Sequence, residues 1–239
     1  MQTPHPLLNL MTDKQLIFVH IPRTAGTSFG TAVADWFRAT DRLVCPYSNW
    51  PHFVENKDKL IEFDLIGGHN YKPLEKLLVR EHEFFTLLGE PINRTISHRN
   101  LREKSNHPYM SGKTLEESVD DPTWALIANN FQTRMLGCDF GDEVQNDFDF
   151  DMKVQPTRDS LKIAKERLES FAFVGIKESY TASVELFNRT FNATCRAYSE
   201  GNTGYRSCMN LRTMKKLVEI NEYDIELYRF GLDLYRSRL

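Results

Sequence analysis

Four short apolar runs, separated by segments long enough to form helices, constrain the fold of this chain most strongly. The runs lie at residues 15–21, 64–67, 83–88 and 172–176. Each is bounded by polar residues, glycine or proline, as expected for a strand buried on both faces of a parallel sheet. The pattern therefore predicts an α/β domain with a mostly parallel central sheet.

The segments between and after these runs show helical periodicity. After the first run, apolar residues recur at the spacing of one helical face: Phe29, Ala32, Val33, Trp36 and Phe37. Further helices are predicted from Pro91 to about Lys104 and at residues 123–136, 160–171, 180–191 and 223–237. Residues 137–156 and 199–207 lack a period and are predicted to be loops. The second half of the chain thus adds helices to the α/β core.

Length and composition limit the classes of protein that this chain can represent. With 239 residues, of which 41% are hydrophobic, the chain predicts a single domain over residues 1–239. The net charge of -3 gives no overall basic field, so neither nucleic acid nor an anionic membrane surface is favoured as a partner. The sequence contains no apolar run of membrane-spanning length and no basic, apolar leader. We therefore expect a cytoplasmic protein, or a Golgi lumenal one if the chain is a trimmed form, and composition leaves the oligomeric state open.

The four cysteines do not have the spacing of a metal site. Cys45, Cys138, Cys195 and Cys208 form no CxxC pair and no His/Cys cluster. Free, buried thiols are the favoured interpretation, and a Cys195–Cys208 disulfide is the alternative.

The segment IFVHIPRTAGTSFGTAV, residues 17–33, leads from a predicted strand directly into a helix. A helix that begins at the carboxyl edge of a sheet presents free N–H groups and a partial positive charge. Gly26 allows close backbone approach, Arg23 adds a cation, and Thr24, Thr27 and Ser28 add hydroxyl donors. These features predict a phosphate-binding loop. It is not a Walker A loop, which needs GxxxxGK[ST], and an ordinary turn capped by Thr or Ser is the alternative.

Two motifs in sequence order resemble a known enzyme family. FVHIPRTAGTS resembles the 5'-phosphosulfate loop of sulfotransferases that use 3'-phosphoadenosine 5'-phosphosulfate (PAPS), especially carbohydrate enzymes of the heparan sulfate 2-O-sulfotransferase type. FFTLLGEPINRTISHRNLR resembles the 3'-phosphate motif of that family. Segments such as IGGH and NNFQTRMLG extend the resemblance to residues 16–235. It implies a P-loop-like three-layer fold and in-line transfer of a sulfuryl group to a hydroxyl, with a glycan as the favoured acceptor and no metal.

The resemblance also implies roles for individual residues. His69, in IGGHNYKP, matches the catalytic base, and its alternative is a structural histidine that caps a loop. A histidine, with an ordinary pKa near 6.5, suits this role at neutral pH. Arg23 matches the loop cation that contacts the transferred group. The residues implied to bind PAPS and its product 3'-phosphoadenosine 5'-phosphate (PAP) are Arg23, Thr24, Ala25, Gly26, Thr27, Ser28, Arg94, Ser97 and Arg206. For Ser97 the alternative is a solvated helix serine.

Two residues depart from the family pattern. Arg23 replaces a lysine, and Gly89 replaces the arginine that binds the 3'-phosphate. A lost charged hydrogen bond costs about 1.5–3 kcal/mol, so Gly89→Arg is predicted to tighten PAP binding by that amount. Compensation by another arginine is the alternative, and the candidates are Arg94, Arg99, Arg102 and Arg206.

Other function classes and surface roles stay open. Loss of the arginine at Gly89 is compatible with a non-catalytic binding module on the same fold. A P-loop-like kinase or NTPase is the weaker alternative, because the Walker lysine and a clear Walker B carboxylate are missing. His98, Arg99 and Arg102 are either a solvated basic helix face or a rim for an acidic substrate. The loop GNTGYRSC, residues 201–208, is expected from the resemblance to fold over the adenosine.

Overall fold

The computed structural model describes residues 14–46, 50–69, 74–104, 112–139, 153–198 and 209–239. Its centre is a four-stranded sheet in the order β2-β1-β3-β4, with every neighbouring pair parallel. The strands are β1 (Gln15–Val19), β2 (Leu65–Gly68), β3 (His82–Leu88) and β4 (Phe173–Ile176). The predicted parallel α/β fold is confirmed, and each strand lies within two residues of its predicted bounds.

Helices flank the strands in the described part of the chain. They are α1 (Gly26–Ala39), α2 (Trp50–Glu55), α3 (Pro91–Lys104), α4 (Leu115–Ser118), α5 (Pro122–Ala128), α6 (Phe131–Gly137), α7 (Arg158–Ser170), α8 (Tyr180–Phe191), α9 (Leu211–Ile220) and α10 (Glu222–Ser237). Short 3₁₀ helices occupy Lys57–Glu62 and Lys177–Ser179. The predicted apolar face of α1 is buried in full. The prediction missed α2, α4 and α9.

Helices cover both faces of the sheet. On one face, Phe29 of α1 stacks on Phe173 of β4, and Phe187 of α8 packs edge-on against both rings. On the other face, α10 lies so close to β3 that a Cβ at Gly231 would overlap the side chain of Leu88. The sheet is therefore the middle of three layers, and its carboxyl edge is the open end at which its loops can meet a ligand.

The helix predicted at residues 123–136 is wrong as a single element. It divides into α5 and α6, because Asn130 adopts a left-handed backbone conformation with φ of 40°. The carboxylate of Asp224 then accepts hydrogen bonds from the backbone N–H groups of Gln132 and Thr133, at 3.0 and 2.7 Å. A contact about 90 residues away in sequence thus creates a second helix start, which local periodicity does not encode.

Most of the predicted loop at residues 137–156, and all of the loop at 199–207, lie outside the described residues. Cys138 and Cys195 are buried thiols without a disulfide bond. Burial raises the pKa of the Cys195 thiol to about 12. Cys208 lies outside the described residues, and the free-thiol interpretation agrees with the state of Cys195.

Candidate functional site

The loop between β1 and α1 has the backbone shape of an anion-binding turn. Arg23 and Ala25 both adopt left-handed conformations, with φ of 71° and 69°. Ala25 is the N-cap residue of α1 and supplies no side-chain cap. The first N–H groups of α1 therefore point out of the helix without a side-chain acceptor among the described residues, at the positive end of the helix dipole. The Thr or Ser cap of the alternative interpretation is therefore not present.

The loop hydroxyls differ from one another in their environment. Thr24 is fully buried, and its hydroxyl donates to the carbonyl of Ile21 at 2.8 Å. Its side chain closes the loop rather than presenting a hydroxyl to a ligand, which corrects the role expected for it. Thr27 is exposed and Ser28 half-buried in the first turn of α1. These two hydroxyls are therefore the ones in the loop that a ligand can reach.

The lack of a side chain at Gly26 makes room for another protein side chain, whereas the sequence predicted that it allows a ligand to approach the backbone. A Cβ at this position would overlap the imidazole of His20. That ring also stacks on Phe18 with a centroid distance of 5.4 Å. Burial and the neighbouring His69 lower the pKa of His20 to about 3, so this histidine is neutral at physiological pH. Gly26 thus makes room for a protein side chain that forms one wall of the loop.

The two sequence motifs meet in the structure. The Nε of Arg23 donates to Ser97 Oγ at 2.9 Å, although the two residues are 74 positions apart in sequence. Ser97 is only 5% exposed, so its interpretation as a solvated helix serine is wrong. The loop cation and the second motif therefore form one site at the carboxyl ends of β1 and β3.

Lys177, which the sequence analysis missed, also lies at this site. It follows β4 directly, and its Nζ is 3.4 Å from the carbonyl oxygen of Arg23. A Cβ built on Gly89 would lie 3.7 Å from Lys177 Cδ and 3.3 Å from Thr24 Cγ2. The predicted strand at 172–176 could have pointed to this lysine, because residues that follow parallel strands gather at one edge of the sheet.

His69 lies at the opposite side of the same edge, just after β2. Its Nδ1 is 2.6 Å from the carbonyl oxygen of His20, and the two imidazole centroids are 4.4 Å apart. A carbonyl can only accept, so Nδ1 carries the proton and neutral His69 presents an unprotonated Nε2. The contact orients the ring in the way that a base requires.

A cleft of about 360 Å³ opens beside His69, between α1 and the end of β2. Thr27, Thr31 and Arg38 line it from α1, and Gly68 lines it from β2. Its volume falls within the range of small-molecule sites, about 300–1,000 Å³. The edge of the sheet thus offers a second binding space next to the loop.

The remaining predicted cations are more enclosed than expected. Arg94 is fully buried and lies over the ring of Phe131 at 4.8 Å. Arg99 is 6% exposed, and its guanidinium donates to Ser118, Asn100, Glu103 and the carbonyl of Lys113. Arg99 is therefore committed to protein partners and does not supply a free cation to the loop.

His98 shares this environment. It is 5% exposed, and its ring packs at a tilt against that of Phe131, with 5.4 Å between the centroids. Burial, with Arg94 and other nearby arginines, holds the pKa of His98 well below its usual value. The interpretation of His98 and Arg99 as part of a solvated basic face is wrong, because both side chains are buried. Arg206 lies outside the described residues.

A buried glutamine fixes the end of β3. The side-chain amide of Gln132 accepts from the N–H of Gly89 and donates to its carbonyl, each at 3.0 Å. Glu90 then accepts from the N–H groups of Ile92 and Asn93 and caps α3. The turn that carries the second motif is thus held from both sides, which keeps Ser97 in place beside Arg23.

Among the described residues, no three His, Cys, Asp or Glu side chains come together as a metal site. None of the helices described here combines the length and the apolar character needed to cross a bilayer.

Comparison with known proteins finds heparan-sulfate sulfotransferases. The chain is 31% identical over 137 residues to heparan-sulfate 6-O-sulfotransferase 1 of Homo sapiens, covering 54% of this chain and 31% of that protein. It is 30% identical to heparan-sulfate 6-O-sulfotransferase 1-B of Danio rerio and 29% identical to 3-B of the same species, covering 93% and 96% of this chain and 66% of each relative.

These relatives support a carbohydrate sulfotransferase family. The 2-O type expected from the motifs is not confirmed, because the relatives are named as 6-O enzymes. No family model matches the chain. The chain spans about one third of the human relative's length and 66% of the two zebrafish relatives.

Proposed function

We propose that this protein transfers the sulfuryl group of PAPS to a hydroxyl of a carbohydrate. The observation that carries the proposal is the hydrogen bond between Arg23 and Ser97, because it joins the two nucleotide motifs at one edge of the sheet. The uncapped start of α1 beside it fits an anionic donor. The named activity of the relatives agrees with this chemistry.

The residues at the carboxyl edge of the sheet have different roles in the reaction. The donor supplies the sulfuryl group and leaves as PAP. His69 Nε2 accepts the proton of the acceptor hydroxyl, while its Nδ1–H remains bonded to the carbonyl of His20. Arg23 and the free N–H groups of α1 face the negative charge that develops on the leaving phosphate oxygen. The acceptor sugar occupies the cleft beside His69, where its hydroxyl can approach Nε2.

The acceptor class is a glycan of the heparan type, by analogy with the named relatives. The neutral cleft lining of Gly68, Thr27 and Thr31 suits the backbone approach and hydroxyl bonding that a sugar ring requires. Arg38 also lines the cleft, where it would bind an acidic group of a polysaccharide in addition to its ion-pair partner Asp35 at 3.1 Å. The compartment and the single-domain organisation stay predictions.

Ligand-dependent stability tests the donor. PAP at 100 times its dissociation constant stabilises the folded state by about 2.7 kcal/mol, which raises the Tm of a chain this size by about 5–10 °C. We expect this shift without added metal and a smaller shift with ATP, which lacks the 3'-phosphate. Equal shifts with PAP and ATP would contradict the proposal, and a shift that needs ATP with Mg²⁺ would favour a kinase.

Transfer itself is measured with PAPS labelled in the sulfuryl group. Desulfated heparan sulfate, chondroitin and 4-nitrophenol serve as acceptors of three classes. We expect label in the heparan-type chain and none in the phenol. Tight binding of PAP with no transfer to any carbohydrate would instead identify a non-catalytic binding module.

A further inference from the structure

Lys177 is a cation whose position calls for an anionic partner. Among the described residues its ammonium makes a single hydrogen bond, the 3.4 Å contact with the carbonyl of Arg23, and no ion pair. The adjacent carboxylate of Glu178 is turned to other donors, the N–H of Glu90 at 3.0 Å and the hydroxyl of Tyr228 at 2.9 Å. At least two N–H bonds of this half-buried lysine are therefore available to a ligand.

The sheet places Lys177 beside the second motif. Leu88 and Ile176 are register partners in the parallel pair β3–β4, so Gly89 and Lys177 are the next residues on each chain. The aliphatic stem of Lys177 lies beside Gly89 and Thr24, since a Cβ at Gly89 would be 3.7 Å from Lys177 Cδ and 3.3 Å from Thr24 Cγ2. The Lys177 ammonium therefore lies at the same edge of the sheet as the Arg23–Ser97 pair.

The order of the strands indicates which end of the donor nucleotide lies near Lys177. His69 follows β2 and Lys177 follows β4, at the two margins of the order β2-β1-β3-β4. Three strand spacings separate them, about 14 Å. The sulfuryl group must lie on the His69 side, where the acceptor proton is removed. The rest of the nucleotide then extends across β1 and β3, towards Lys177.

We propose that Lys177 binds the 3'-phosphate of the donor nucleotide and supplies the cation that Gly89 lacks. This inference rests on the proposed function, since it takes PAPS as the donor. Lys177 thus takes the place of the arginines considered from the sequence, of which Arg99 is committed to protein partners. The 3'-phosphate would sit over the end of β3, between Lys177 and the Arg23–Ser97 pair.

The test compares two nucleotides that differ in the 3'-phosphate alone. Isothermal titration calorimetry measures the binding of PAP and of AMP to wild type, Lys177→Met and Lys177→Arg. We expect Lys177→Met to weaken PAP binding by about 10- to 100-fold, the range for a charged hydrogen bond, and to leave AMP binding within about threefold. Lys177→Arg keeps the charge and should retain most of the preference for PAP.

Lys162→Met is the matched control. Lys162 lies on α7 with 76% of its side chain exposed, and its nearest carboxylate is that of Glu166, at 3.9 Å. The control should bind both nucleotides like wild type. The Tm of each ligand-free variant shows whether it is folded.

The outcomes separate this inference from the proposed function. A Lys177→Met protein that keeps the wild-type ratio of PAP to AMP affinity overturns the inference and leaves the donor assignment intact. Equal losses for PAP and AMP also overturn it, because Lys177 would then contact the shared part of the nucleotide. Wild type that binds PAP and AMP equally contradicts the proposed function itself.

The inference also changes the effect expected for Gly89→Arg. If Lys177 already supplies the charge, the variant should bind PAP no more tightly than wild type. A gain of tenfold or more in that variant would reveal an unfilled phosphate site and overturn the assignment of Lys177.

Discussion

Replacement of His69 is the most direct test of the catalytic edge. His69→Asn removes the Nε2 base but keeps a side-chain N–H that can reach the carbonyl of His20, now 2.6 Å from Nδ1. Loss of a general base lowers the rate by about 10²- to 10⁴-fold. At about 1.36 kcal/mol per decade, this is a rise of roughly 2.7–5.4 kcal/mol in the activation barrier.

The same variant should leave the donor site intact. His69 follows β2, whereas Arg23 and Ser97 pair at the ends of β1 and β3. PAP affinity should therefore stay within about threefold of wild type, because no charged hydrogen bond to the nucleotide is removed. Arg23→Ala provides the contrast, since it should weaken PAP binding and transfer together.

The assay is single-turnover transfer from labelled PAPS to the heparan-type acceptor, with PAP affinity measured on the same protein preparations. His82→Asn is the matched control, because His82 lies in the same sheet at the start of β3, at the amino edge opposite the site. The control should transfer at the wild-type rate. Transfer by His69→Asn at that rate would refute the assignment of the base and the side of the cleft from which the acceptor enters.

Two further perturbations probe His20 and Gly26, which shape the loop wall. Gly26→Ala should destabilise the fold by about 1–3 kcal/mol and slow transfer, because its Cβ would overlap the imidazole of His20. Urea unfolding measures the loss of stability, and the transfer assay measures the loss of rate. Ala34→Gly is a milder change on the same helix and serves as the comparison, whereas Gly112→Ala is unsuitable because Gly112 has a φ of 75°. Because the pKa of His20 is lowered to about 3 from 6.5, the unfolded chain binds the extra proton between these values, and stability falls as pH drops below 6.5. This histidine contributes a slope of up to about 1.4 kcal/mol per pH unit, and urea unfolding of His20→Phe between pH 7 and 5 should show a correspondingly shallower decline than wild type; an unchanged slope would show that His20 is not the titrating group.

Several features of the fold follow from local sequence alone. The four apolar runs became the four strands, because their length and their Gly or Pro boundaries favour buried parallel strands over helices. The apolar face of α1 follows equally from its 3.6-residue period. The loop at Arg23 to Ser28 was also recognisable, because small and hydroxylated residues between a strand and a helix have a local physical meaning.

The hydrogen-bond partners within the site depend on contacts between distant parts of the chain. Lys177 lies 154 residues from Arg23 in sequence, and Gln132 lies 43 from Gly89. The local hydrophobic periodicity of the sequence does not predict such pairs. The same holds for the burial of His98, which the sequence presents as one member of a basic helix face.

Local sequence and tertiary structure determine different features of this protein for a physical reason. Strand and helix preferences act over a few residues, so the sequence by itself determined the parallel α/β framework and the position of the donor loop. A side chain's partners and its exposure depend on which elements the sheet order brings together. The order β2-β1-β3-β4 placed His69 and Lys177 at opposite margins of one edge, with Arg23 and Ser97 between them. Only the tertiary structure decided that arrangement, because it is set by the packing of strands that are up to about 150 residues apart in the chain.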